Sequence, residues 1–196
     1  MHIFAEEPNE ESEEKTAPPN MLQKLLETRT ILLFGEINMK VAEKITQQLL
    51  LLAADSDEPI KMIINSPGGH VESGDTIFDM IRFVGPEVKV IGTGWVASAG
   101  ALIFAAAKKE NRISLPNTRF LLHQPMGGAR GQATDIAIEA EEIIKMRRRL
   151  NETFAAQTGQ PIKKVEEDTD RNFWMSAKEA QKYGLVGKIV NSIDEV

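Results

Sequence analysis

Two hydrophobic periods alternate along the chain, and their order points to a layered architecture. The runs ILLFGEI (31–37), IKMIIN (60–65) and VKVIGTG (88–94) are short, apolar and bounded by turn residues, so they predict strands. Between the first two, MKVAEKITQQLLLLAA (39–54) repeats apolar residues every three or four positions. That spacing places Val41, Ile45, Leu49 and Leu52 on one face of a helix. ESGDTIFDMIRFV (72–84) predicts a second helix and the small-residue run ASAGALIFAAA (97–107) a third. RISL (112–115) and RFLLHQ (119–124) predict two more short strands. Apolar strands separated by helices of this length indicate an α/β fold with a mostly parallel sheet.

After residue 124 the pattern changes. GGARGQATD (127–135) is a Gly-rich loop, and a long helical period then runs from about Ile136 to Gln157. Asp135 is its expected N-cap and Gly159-Gln160-Pro161 its stop. About 20 helical residues span about 30 Å, as wide as a domain of this size, so this helix is expected to project and pack on another subunit. At the other end, residues 5–20 are acidic and finish in Ala17-Pro18-Pro19-Asn20, which predicts a mobile segment. Leu22, Leu25 and Leu26 mark one short amphipathic helix after it. The expected organisation is a flexible segment over 1–20 and a single domain over 21–196, with a projection at about 125–160.

Composition narrows the function classes. The 196 residues suit one domain with a substantial core, and no apolar run is long enough to cross a bilayer. A net charge of -6 without a basic cluster argues against a nucleic-acid partner. Arg147-Arg148-Arg149 falls inside the helical period and reads as a solvated or inter-subunit face. With no cysteine, neither disulfides nor a thiolate nucleophile is available. MHIFAEEPNEESEEK has no basic n-region and no apolar h-region, so a cytoplasmic location is the expectation.

Three places combine polarity with packing. In Gly94-Trp95-Val96-Ala97-Ser98-Ala99-Gly100, a serine stands where a buried strand turns into a small-residue helix. Taken singly it reads first as a helix cap and second as a nucleophile beside a helix N-terminus. Leu122-His123-Gln124-Pro125 puts a histidine at a strand end, where a structural hydrogen bond and a general base are both open readings. Only two other histidines exist, His2 in the acidic segment and His70 in a glycine-rich loop. Asn65-Ser66-Pro67-Gly68-Gly69-His70 ends a strand in a turn whose backbone N–H groups suit an oxyanion hole, or simply a turn.

Together, INSPGG, GWVASAG and LLHQPMGGARGQATDI, in this order and spacing, resemble the ClpP family, the serine peptidase subunits of the caseinolytic protease. The resemblance extends from about Leu22 to Ile193 and implies a crotonase-like fold: a βαβ spiral head with a protruding handle helix. It implies Ser98 as nucleophile, His123 as general base, and the N–H groups of Gly68 and Ala99 as oxyanion hole. Gly69, His70 and Val71, and a strand over Pro125, Met126 and Gly127, would pair with an extended substrate backbone. Handles would join two heptameric rings into a tetradecamer, with Gln132, Asp170 and Arg171 at the ring–ring interface. An AAA+ unfoldase would consume ATP and feed unfolded polypeptides, while this subunit needs no cofactor or metal.

The resemblance is incomplete in three places. The family's third catalytic residue is usually an aspartate in a D-T-[acid]-R-D-x-F frame; here Asp168-Thr169-Asp170-Arg171 fits and Asn172 takes the aspartate's place. An amide oxygen still accepts the Nδ1–H of His123 but brings no charge, which implies activity that is weak or dependent on a partner. The usual partly apolar N-terminal loop is replaced by EEPNEESEEKTAPPN, and Lys61 and Ile63 stand where the family often has aromatics for unfoldase docking, although Phe83 remains. A mixed barrel containing a second ClpP-type subunit accommodates all three. The alternative is a largely structural subunit of such a barrel; an acyl-CoA enzyme on the same fold is a third reading.

Overall fold

The computed structural model describes residues 21–196, so the expectation of a flexible acidic start lies outside the described residues. Strand β1 (Thr30–Phe34) leads into helix α2 (Met39–Asp55), which follows the short α1 (Met21–Glu27). Asn38 caps α2 by accepting the Val41 N–H at 3.0 Å. The buried face of α2 is Ala42, Ile45, Leu49 and Leu52; Val41, expected in that row, is only half-buried because the stripe is centred one position on. β2 (Ile60–Ser66), α3 (Val71–Phe83) and β3 (Val88–Ala97) complete two parallel βαβ units, and β1, β2 and β3 lie side by side.

The bend of β3 organises the rest. Its first half pairs with β4 (Arg112–Ser114), and its second half, Trp95 to Ala97, pairs with β5 (Arg119–Leu122). Between them the register against β2 jumps, from Ile64↔Gly92 to Ser66↔Val96. Gly94 turns this corner at φ 59, where a Cβ would come within 2.9 Å of Asn65 Oδ1. Thr118 secures the corner by donating its hydroxyl to Gly92 O at 2.8 Å. The expected small-residue helix is shorter than its pattern, α4 (Ala99–Phe104), because the chain uses Ala97 as strand and Ser98 as turn.

The long helix α5 (Ala133–Thr158) has 26 residues, about 39 Å of length. Its N-cap is Gln132, not Asp135, which lies inside the first turn; Gly159 ends it in the left-handed conformation, as expected. Its buried residues, Leu150, Asn151, Phe154 and Thr158, all belong to the C-terminal third, so the first half runs out from the body. α6 (Ile162–Asp168), β6 (Phe173–Ser176), α7 (Ala177–Tyr183) and β7 (Lys188–Ile189) follow. β6 pairs antiparallel with β5, and β7 parallel with β4. Among the described residues, no helix is long and apolar enough to cross a membrane.

Candidate active site

Ser98 stands at the end of β3 with φ 55 and ψ −121, a conformation that costs a non-glycine residue about 1–3 kcal/mol. Its surroundings determine it. The Ser98 N–H donates to Leu121 O at 2.9 Å, and its carbonyl accepts from Ala101 and Leu102 at 2.9 and 3.1 Å. Every residue of α4 behind it is buried. The side chain makes no cap hydrogen bond, so Ser98 occupies the cap position without doing a cap's chemistry. It lines instead an apolar cavity of about 10 Å³, together with Val71, Ala99, Leu102, Leu122, His123, Pro125, Leu150 and Phe154.

His123 follows β5 and is brought there by the same strand that holds Ser98. Its Nδ1 lies 3.1 Å from Asn172 Oδ1. Because an amide oxygen only accepts, Nδ1 carries the proton and Nε2 is left with a free lone pair. No hydrogen bond joins the Ser98 hydroxyl to His123 among the described residues. Catalytic contacts in substrate-free sites are often open in this way and close with substrate. The loop carrying Asn172 is tied to the strand end: Gln124 N–H donates to Thr169 O at 2.7 Å and Gln124 Nε2 to Asp170 O at 2.6 Å. The buried Thr169 hydroxyl reaches Asn151 Oδ1 at 2.9 Å.

The crowded carboxylates before Asn172 point elsewhere. Asp168 accepts the Tyr183 hydroxyl at 2.9 Å and Lys164 at 3.0 Å; burial first, then Asp168, holds the Tyr183 phenol above its ordinary range. Asp170 pairs with Arg147 at 3.1 Å and, more loosely, with the exposed Arg171 at 3.8 Å. Glu166 and Glu167 are exposed. The arginine run, expected as a solvated or inter-subunit face, has partners within the chain: Arg147 with Asp170, Arg148 with Glu152, and Arg149 with Asp75.

Of the two expected oxyanion donors, Ala99 N–H opens α4 and has no acceptor one turn back. Gly68 N–H donates to Ser66 Oγ at 3.0 Å, and Ser66 in turn donates to Gly35 O at 2.7 Å. Gly68 is pressed against Ser98: at φ +98, an added Cβ would lie 2.6 Å from Ser98 Cβ and 2.8 Å from Ala97 O. Gly69 bridges Ile37, and His70 caps α3 by accepting the Ser73 N–H through Nδ1 at 3.3 Å. The expected strand over Pro125, Met126 and Gly127 is not formed; with no neighbour to pair, residues 123–130 are irregular. Gln132 starts α5 without using its side chain. Ser66, Leu150 and Phe154 escaped the sequence reading. The four-residue spacing of the last two was visible, but not the cavity they reach.

Comparison with family models matches the chain to Clp protease over residues 12–193, which makes its class that of a peptidase, serine-type in general. The chain belongs to the Clp protease family. It is 63% identical over 175 residues to the ATP-dependent Clp protease proteolytic subunit 2 of Gluconobacter oxydans (strain 621H), covering 88% of this chain and 78% of that one. A proteolytic subunit of Paracoccus denitrificans is 56% identical over 166 residues, 85% of this chain and 83% of its own. Among solved structures, ClpP1 from Listeria monocytogenes has a TM-score of 0.81 at 55% identity, covering 90% of this chain and 99% of that one. An asparagine-to-aspartate mutant of the same protein gives 0.84 at 55% identity, over 89% and 98%.

Proposed function

We propose that this chain is the proteolytic subunit of an ATP-dependent Clp protease, a serine endopeptidase acting through Ser98, His123 and Asn172. The observation that carries the reading is the 3.1 Å contact of His123 Nδ1 with Asn172 Oδ1, on a histidine that shares one cavity with Ser98. His123 Nε2 takes the Ser98 proton as Oγ attacks a peptide carbonyl, giving a tetrahedral oxyanion. Ala99 N–H faces that oxygen at the N-terminus of α4; Gly68 N–H joins it once released from Ser66 Oγ. Each such donor is worth about 10²–10³ in rate. The imidazolium then protonates the leaving amine, and water, activated by the same nitrogen, hydrolyses the acyl-serine.

Gly69, His70 and Val71 on one side and Pro125, Met126 and Gly127 on the other pair with the substrate main chain, which orders the irregular segment into a strand. Main-chain pairing leaves sequence selection to the small cavity, whose lining favours an apolar side chain at the cleaved residue. The subunit works in the cytoplasm in protein quality control, inside a tetradecamer of two heptameric rings joined through α5, with Gln132, Asp170 and Arg171 at their contact. It needs no metal or cofactor; an AAA+ partner spends ATP to unfold substrates. Half-exposed Lys61 and Ile63 on β2 make a poor docking pocket, so a second ClpP-type subunit in the barrel supplies docking. A serine-directed fluorophosphonate tests the core of this reading. Labelling confined to Ser98, with matching peptidase activity alone or after mixing with the second subunit, is expected. A protein left unlabelled in both states overturns it.

A further inference from the structure

Two helices that share no hydrophobic seam in the sequence form the walls of the cavity beside Ser98. Val71, in the first turn of α3, forms one wall; Leu150 and Phe154, on α5, form the opposite one. At about 10 Å³ the cavity holds about one water, far less than a leucine side chain, so its walls must give way when an apolar residue enters. α3 itself is seated on the nucleophile turn, since a Cβ on Gly74 would come within 3.1 Å of Ala99 Cβ. Of the two helical walls, the one left to move is therefore α5.

One polar contact restrains that wall directly. Asp75 is four residues beyond Val71, on the same face of α3, and Arg149 directly precedes Leu150. The two side chains meet as a two-pronged fork, Nη1–Oδ1 at 2.7 Å and Nη2–Oδ2 at 2.6 Å, across 74 residues of sequence. Planar guanidinium and carboxylate in this register fix distance and angle together. The hydrogen bonds it donates to Asp75 first, and the charges of Asp75, Asp79 and Glu72 along the same helix, hold Arg149 above the ordinary guanidinium range. We propose that the Asp75–Arg149 fork is a specificity-determining brace that limits how far α5 swings from α3, and so limits the size of the substrate side chain admitted beside Ser98. The two residues touch no reacting atom and act as a positioning pair. The inference rests on the peptidase reading of Ser98.

Peptidyl phosphonates that trap serine peptidases test it on the purified full chain, with leucine or phenylalanine at the position entering the cavity and a small fluorophosphonate as reference. In Asp75→Asn, the phenylalanine-to-leucine ratio of Ser98 labelling rates is expected to rise about fivefold, within the range that one or two methylenes command in an apolar pocket. The fluorophosphonate rate stays within about twofold of the parent. Arg149→Lys, which keeps the charge but loses the fork, gives a smaller rise, and the exchanged pair Asp75→Arg with Arg149→Asp returns the ratio towards the parent's. An unchanged ratio in Asp75→Asn overturns the brace while leaving the peptidase reading intact. So does a fluorophosphonate rate that falls in step with both peptidyl probes, which marks general distortion. A parent protein that none of the three reagents labels, alone or mixed with the second subunit, overturns the peptidase reading, and the brace with it.

Discussion

The turn that carries Ser98 and the loop that carries Asn172 contribute to one site, yet they are built in opposite ways. Around Ser98 the backbone is strained but enclosed: α4 is wholly buried, Ala97 and Val96 are core, and Gly68 leaves no room for a methyl group. Around Asn172 the backbone is unstrained but exposed, held by Gln124, Thr169 and the Arg147–Asp170 pair. Core packing over-determines Ser98, the proposed nucleophile, whereas a few polar contacts position Asn172, its proposed orienting partner. Changes that add volume in the first region should damage fold and chemistry together, and changes at the second should tune rate alone.

Gly68→Ala presses hardest on that distinction. Its Cβ must displace either Ser98 or the Ala97 carbonyl, and its φ of +98 disfavours any side chain. Peptidase activity is expected to fall at least about 10²-fold, the scale of one misplaced oxyanion donor, with about 1–3 kcal/mol lost in denaturant unfolding. Ser98→Ala removes the nucleophile without adding volume, so activity disappears while the unfolding midpoint stays put. If Gly68→Ala keeps full stability, the turn is less enclosed than its contacts imply.

Asn172→Asp probes the second region. A carboxylate there stabilises the imidazolium that an amide leaves uncompensated. In a trypsin-like enzyme the reverse change costs about 10⁴ in kcat, largely through the wrong tautomer. Here Asn172 Oδ1 already selects the correct tautomer, so the expected gain is smaller, about tenfold in kcat on a short peptide, with no change in melting temperature. A variant no faster than the parent removes the account of a charge-deficient site. Arg147→Met is a milder test. An exposed pair such as Arg147–Asp170 contributes under about 1 kcal/mol. Stability should hold while kcat drops a few-fold at low salt, and parent and variant should converge near 1 M salt, where the pair is screened.

The same contrast explains what the sequence revealed. β2, α2 and α3 were legible to within a residue or two because alternation and the 3.6 period are local, and each element buries a single face. Ser98 and His123 stood out as candidates because they lie at element ends within long shared motifs, and the fold brings both to one cavity. β6 was not legible: Phe173 to Ser176 pairs with β5 some fifty residues earlier, and half-exposed Phe173 and Trp174 show no alternation. Nor was the destination of the arginine run, since nothing local tells Arg149 that Asp75 lies opposite. The Ser66 contact with Gly68 N–H was hidden in a motif that reads equally as a turn, because a hydroxyl's partner is decided by the fold around it.

The smallest effect concerns the far anchor of the exposed region. β6 runs from Phe173, next to Asn172, to Ser176, which caps α7 in a reciprocal box: Glu179 N–H reaches Ser176 Oγ at 3.3 Å, and Glu179 Oε2 accepts Ser176 N–H at 2.8 Å. The Ser176 backbone N–H first, then its hydroxyl, hold the Glu179 carboxyl below its ordinary 4.5. A carboxyl depressed in the folded state adds stability that is complete above its unfolded value and is lost as pH falls through the folded one. The box should therefore hold at neutral pH and loosen below about 4.5. Glu179→Gln should melt slightly below the parent at pH 7, with the gap closing as pH falls below 4.5 and through the folded value, as followed by thermal unfolding at stepped pH. Because Glu179 lies at the surface the gap will be small, and peptidase activity at pH 7 should change less than with Arg147→Met, since three strand residues separate the box from Asn172. A Glu179→Gln enzyme slowed more than Arg147→Met would place the true anchor of the loop in α7 rather than in the contacts of Gln124 and Arg147.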